Sequence, residues 1–188
     1  PDGSLPWGVN GVDFSTNNAY FEKEIQIASE IGTNHIWSIS AYNGAGSQNY
    51  IGEYVQKFDK KTGQRLFSDN GKEVFPLTLN NAKAHIGKLL LENDKPVFAF
   101  ENRKQFNIQT FTTHITRLNS NGEFDFPEES LTLVTRESFR SHHSLIKVDK
   151  NQVLLTFNED LDSSESSVLG QHITLPASNL SINQVNES

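Results

Sequence analysis

The chain has 188 residues, 35% of them apolar and 21% charged, and 16 Lys and Arg against 23 Asp and Glu give a formal charge of −7. Its densest basic groups (Lys57, Lys60, Lys61 and Arg65, then Arg136 and Arg140) are interspersed with acids, so it lacks the concentrated patch that displaces counterions from phosphates, and nucleic acid is not an expected partner. With no cysteine, disulfides, thiolate metal sites and a cysteine nucleophile are excluded, and no apolar run reaches the ~18–20 residues that carry a helix across a bilayer.

There is no methionine, and the chain opens inside a turn signal at Pro1-Asp2-Gly3. The expectation is a segment of a longer chain. Residues 1–15 hold Leu5, Trp7, Gly8, Gly11 and Val12, which read as the end of a preceding unit. The segment 25–28 (Ile-Gln-Ile-Ala) and the segment 36–39 (Ile-Trp-Ser-Ile) predict two short strands joined by an Ile31-Gly32-Thr33-Asn34 turn. Residues 19–30 contain enough helix formers for one helical turn, but Glu24-Ile25-Gln26-Ile27 alternates with period two. A variable loop follows, then a third strand over 54–58, the Thr62-Gly63 turn, Phe67, Gly71 and a closing strand at Val74.

The same order then recurs. Asp2-Gly3, Thr62-Gly63 and Asn121-Gly122 are separated by 60 and 59 residues, and Trp7, Phe67 and Phe126 each stand four residues after the glycine. Segments 86–91 and 145–148 match the first strand, 97–100 and 154–157 the second, and 114–118 and 172–175 the third. Val55 to Ile115 is 60 residues and Ile115 to Ile173 is 58. Glycine supplies the positive φ of each turn. Self-similarity at such a period, with short strands and turn chemistry, predicts an all-β fold of consecutive four-stranded antiparallel blades of a β-propeller. The expected division is a repeat region over 1–175, with units at 16–75, 76–133 and 134–175, and a polar Asn/Ser-rich linker over 176–188. A β-sandwich or a β-solenoid remains the alternative.

The opening run Asp2-Gly3-Ser4-Leu5-Pro6-Trp7-Gly8-Val9-Asn10-Gly11-Val12 resembles the closing turn of repeats in large secreted bacterial proteins. There a "YAQRL"-like strand leads into a "DG-x-x-x-WG-x-x-GV" turn. Tyr54-Val55-Gln56-Lys57-Phe58 with Gly63 and Phe67 resembles the same element, while Phe67 and Phe126 replace the tryptophan and Ser130 the second glycine. The resemblance implies propeller-like repeats, export to the cell surface or beyond it, and attachment to catalytic or adhesive modules. It implies no enzyme activity for the repeats themselves. The polar end resembles the linker that precedes a C-terminal sorting domain in cargo of type IX secretion.

Chemical motifs are sparse. His142-His143 are adjacent on a strand, so they point to opposite faces and do not form one metal site. Glu159, Asp160, Asp162 and Glu165 form an acidic run without the glycine and closing glutamate of an EF-hand, which reads as a solvated loop. Glu101 and Glu159 stand at related repeat positions, but spacing alone supplies no carboxylate pair. Trp7, Trp37, Phe98 and Phe100 are assigned to the core. The loops after the second strands are the expected binding surface, through Tyr42, Asn43 and Tyr50, then Asn102, Arg103 and Phe106, then Asn158, because aromatic faces beside amides suit sugar rings. The expectation is therefore a non-catalytic extracellular module with no cofactor and no metal. It would bind polysaccharide or a surface or secretion-machinery protein, or act as scaffold. The alternatives are part of a secreted hydrolase whose catalytic residues lie elsewhere, and an export cargo.

Overall fold

The computed structural model describes residues 3–44, 46–104, 109–160 and 166–176. It contains ten strands in two antiparallel sheets and, among the described residues, no helix. The first sheet is β1 (Tyr20–Ser29), β2 (His35–Gly44), β3 (Ser47–Asp59) and β4 (Lys72–Leu79), in that order. The second holds β5 (Lys83–Glu92), β6 (Lys95–Asn102), β7 (Phe111–Arg117), β8 (Leu131–Asp149), β9 (Gln152–Asp160) and β10 (Ser166–Thr174), also in chain order. Segments 25–28, 36–39 and 54–58 are neighbours in one sheet, and 19–30 is strand rather than helix.

Short connections follow from turn chemistry. Asn93 and Asp94 both take positive φ (54° and 58°), the two-residue type I′ loop whose twist matches that of the flanking strands. At the Gly63 turn (φ 74°), Trp7 stacks on Phe58 with ring centroids 5.8 Å apart, and its indole N–H donates to the Lys60 carbonyl at 3.0 Å. The residues before β1 are thus fastened onto the first sheet.

β8 runs for 19 residues because it serves two neighbours. Its first half pairs with β7 and its second half with β9. The register shifts between Ser141 and Ser144, where His142 has φ 53°. Similar shifts occur in β1 around Glu24 (φ 54°) and in β5 around Gly87 (φ 71°). Each is a bulge, with one extra residue in β8 and in β1 and two in β5, that bends the strand and re-aims its backbone groups.

Two cores separate three layers. Trp37, Ile39 and Val55 of the first sheet meet Leu89, Leu91, Phe98 and Phe100. On the other side, Val97, Ala99 and Ile115 meet Leu145, Val153, Leu155, Phe157 and Ile173. β6 is buried on both faces, which is why its run Val97-Phe98-Ala99-Phe100 is apolar without alternation. The pairing also sets a register: Ile39 lies opposite Val55 and Ala99 opposite Ile115, so the place in β6 that answers to Ile39 in β2 is Ala99 and not Phe100, the last residue of the matched segment 97–100. A one-residue slip moves a side chain to the other face, and Phe100 accordingly packs with the first core.

Glycine is required where the outer strand begins. Gly71 has φ 79°, and a Cβ there would sit 2.6 Å from the Val55 carbonyl oxygen. Gly8 has φ 80° but open space around it. Left-handed backbone alone costs an L-residue about 1–2 kcal/mol. Gly71→Ala is therefore expected to lower stability by more than ~2 kcal/mol, and Gly8→Ala by less, in parallel urea unfolding curves. Equal losses would show that the Val55 contact has no role.

Candidate functional site

A cleft of about 420 Å³ lies where the first sheet meets β5 and β6. β1 supplies Lys23 and Glu24, β2 Ala41 and Asn43, and β3 Ile51 and Glu53. The second sheet adds Lys83, Ala84, His85 and Ile86 from β5 and Glu101 from β6, with Asn81 and Ala82 just before β5 and Arg103 just after β6.

The floor is a buried ion pair across the two sheets. His85 Nδ1 stands 2.7 Å from Glu53 Oε2, with the side chains 3% and 0% exposed. The backbone N–H of His85 donates to Glu53 Oε1 at 3.3 Å. Its Nε2 lies 2.8 Å from the Glu24 carbonyl oxygen, which the β1 bulge turns toward it. Both ring nitrogens thus face acceptors, an environment that suits the doubly protonated imidazolium. Burial works against that charge, but the hydrogen bond and charge of Glu53, with the Glu24 carbonyl, outweigh it and hold the His85 pKa above the ordinary imidazole value. With both nitrogens engaged, His85 serves as a clamp between sheets rather than as a base.

Arg103 and Glu101 form the rim. Arg103 Nη2 stands 2.5 Å from Glu101 Oε1, while the buried Arg103 Nε has no hydrogen-bond partner among the described residues. Burial raises the Glu101 carboxyl above its usual range against the opposing pull of Arg103. Lys83 Nζ lies over the Phe75 ring, 5.2 Å from its centroid. The opening is therefore lined by cations and amides, together with the acids Glu24 and Glu101, beside the small side chains of Ala41, Ala82 and Ala84, above the paired charges of His85 and Glu53.

Of the residues expected from sequence, the cleft brings together Asn43 and Arg103. Tyr42 is interior, fully buried and stacked on Tyr54 (4.4 Å) and Tyr20 (5.4 Å), its hydroxyl donating to the Asn70 carbonyl. Tyr42→Ala would thus test packing, not ligand contact. Tyr50 is exposed on β3, and Asn102 and Asn158 are half-buried near the ends of β6 and β9, outside the cleft. Phe106 lies outside the described residues, as do Asp162 and Glu165. Sequence reasoning missed His85, Glu53 and Lys83. Trp37, Phe98 and Phe100 are core residues, and Trp7 is half-buried.

Two further sequence candidates are structural. Glu159 is not part of a solvated loop. It is fully buried and accepts from Arg136, Ser138 and Arg140. His142 is exposed at the β8 bulge, whereas His143 packs between Phe111 and Phe157, 6.0 and 6.1 Å away. Burial, then the charges of Arg140 and His142, push the His143 pKa down to about 4. Among the described residues no cluster of His, Asp or Glu forms a metal-binding group.

No protein-family model and no curated protein matches the sequence. The chain is similar to a solved polysaccharide lyase structure, described as an ulvan lyase of a new family, with a TM-score of 0.41 and 12% identity. The likeness covers 83% of this chain and 43% of that one, so the chain spans less than half of that protein's length.

Proposed function

We propose that the chain is a run of consecutive β-propeller blades, with its repeat region over 1–175 and a polar linker over 176–188, belonging to a larger secreted protein. Its role is to bind glycan through the cleft between the first sheet and β5–β6. The observation that carries this reading is the composition of that cleft. Amide and cationic groups stand on strand ends beside alanine methyls, the mixture that receives hydroxyls and the apolar face of a sugar ring. The full engagement of His85 favours binding over acid–base chemistry at this place. Face-to-face stacking of successive antiparallel layers supports the propeller reading. Export to the cell surface or beyond, and carriage by type IX secretion, rest on the sequence resemblance.

Affinity electrophoresis and calorimetry against a panel of neutral and acidic polysaccharides test the proposal. Retention by at least one polysaccharide is expected, weakened tenfold or more in Asn43→Ala and Arg103→Gln, and less in Lys23→Ala at the exposed lip. The unfolding midpoint of each variant keeps binding separate from folding. If no polysaccharide is retained, or if the cleft variants bind as the parent does, the glycan reading fails.

A further inference from the structure

We infer that Phe21 is a stacking platform for the C–H face of a pyranose ring, forming a sugar subsite beside the cleft. The subsite rests on the glycan reading above and adds to it an aromatic surface. Among the described residues the lining of the cleft itself contains no Phe, Tyr or Trp.

The strand register places Phe21. It lies on β1 directly opposite Asn43 of β2, and Lys23, two places further along β1, lies opposite Ala41, with no shift between the two pairs. Direct cross-strand partners share a face of the sheet, as do residues two apart on one strand. Asn43, Lys23 and Ala41 all line the cleft. Phe21 therefore stands on the cleft face, next in line after Lys23, on the edge strand of the first sheet. Its neighbour Tyr20 falls on the opposite face, where its ring is taken up by stacking on Tyr42.

The ring of Phe21 is not consumed by the fold. It is 48% exposed and makes no ring contact among the described residues. The other exposed aromatic side chains, Tyr50 and Phe139, do not reach the cleft. Tyr50 precedes Ile51 on β3, and because Ile51 lines the cleft, Tyr50 faces the other side of the sheet. Phe139 lies on β8 opposite Asp160, in the part of the second sheet away from β5 and β6. An aromatic face is electronegative, and the C–H groups of a pyranose, polarised by its oxygens, meet it favourably. A ring stacked on Phe21 has its hydroxyl rim within reach of Asn43, ~5 Å away across the ladder, and of Lys23, ~7 Å along the strand. One apolar surface with polar groups at its edge is the mixture that orients a sugar.

The test is calorimetric titration of the full chain with hexasaccharides of β-1,4-glucan, β-1,4-xylan, β-1,4-mannan and α-1,4-galacturonan. At least one is expected to bind, at least tenfold more weakly in Phe21→Ala and Phe21→Leu, and about as well as to the parent in Phe21→Tyr and Phe21→Trp. Leucine keeps apolar bulk without a ring, so it separates stacking from plain burial. The emission of Phe21→Trp should shift when that sugar is added. Parent-like binding in Phe21→Ala or Phe21→Leu, with binding weakened in Asn43→Ala, overturns the platform and leaves the glycan reading standing. Parent-like binding in Phe21→Ala and Asn43→Ala alike, or no binding to the parent at millimolar sugar, overturns both. If Phe21→Ala lowers the unfolding midpoint, the Phe21→Trp emission decides, and an unchanged spectrum at saturating sugar overturns the platform.

Discussion

Glu159→Ala is expected to cost about 3–5 kcal/mol of folding stability, the usual loss when one partner of a buried ion pair is removed. Glu159 lies on β9 directly opposite Arg140 on β8, and both side chains are fully buried. Arg140 Nη2 donates to Glu159 Oε1 at 2.8 Å and to the Arg136 carbonyl at 2.6 Å, while Nη1 donates to the Phe111 carbonyl at 2.6 Å. The guanidinium lies 5.7 and 5.6 Å from the rings of Phe111 and Phe157. Truncating Glu159 leaves that cation in an apolar slot with no anion.

Burial opposes the charge on Glu159, but the donors from Arg136, Ser138 and Arg140 outweigh it and hold its carboxyl below the ordinary range. The stability it contributes is present above the unfolded value of 4.5 and is lost as pH falls through the lower folded value. Urea unfolding at neutral pH should show the full loss in Glu159→Ala, and much less in Arg136→Ala, whose side chain is 56% exposed. A loss below ~1 kcal/mol in Glu159→Ala, the size of a surface pair, would mean that Arg140 finds another partner and that the network is not a unit.

Glu159 shows where the sequence was legible and where it was not. The short apolar runs and the turn residues between them located strands, because a half-buried strand and a tight turn each demand those residue types. The acidic run read as solvated because charge was judged along the chain, where Asp160 follows and basic residues are distant. Its partners, Arg136 and Arg140, stand on the adjacent strand and were visible only as a basic cluster. Strand pairing brings them together. Tyr42 was read as a loop residue because it follows an apolar run, yet β2 continues through Gly44 and keeps it inside. The cleft was harder still. His85 and Glu53 are 32 residues apart and on different sheets, so neither periodicity nor motif spacing connects them. Asn43 and Arg103 were legible because both stand at the ends of second strands, which the repeat located.

The second large effect concerns that unseen pair. His85 has a folded pKa raised above 6.5, so its pairing with Glu53 stabilises fully below about pH 6.5 and is lost as pH rises through the folded value. In that window the native chain holds a proton that the unfolded chain has released. Stability should therefore fall with pH, by up to about 1.4 kcal/mol per unit. His143 acts in the opposite sense. With its folded value at about 4 against 6.5, the unfolded chain holds the extra proton between those limits, so its contribution rises with pH there. Urea midpoints measured from pH 5 to 9 separate the two. Glu53→Gln should abolish the fall on the alkaline side, and His143→Phe should flatten the rise on the acid side. Glu53→Ala, which leaves the imidazolium without its anion, should lose about 3–5 kcal/mol at pH 6 and less once pH has risen past the raised folded value of His85. If the alkaline fall persists unchanged in Glu53→Gln, the clamp does not set the pH response, and the sheets are held together here by the Trp37 and Phe98 core alone.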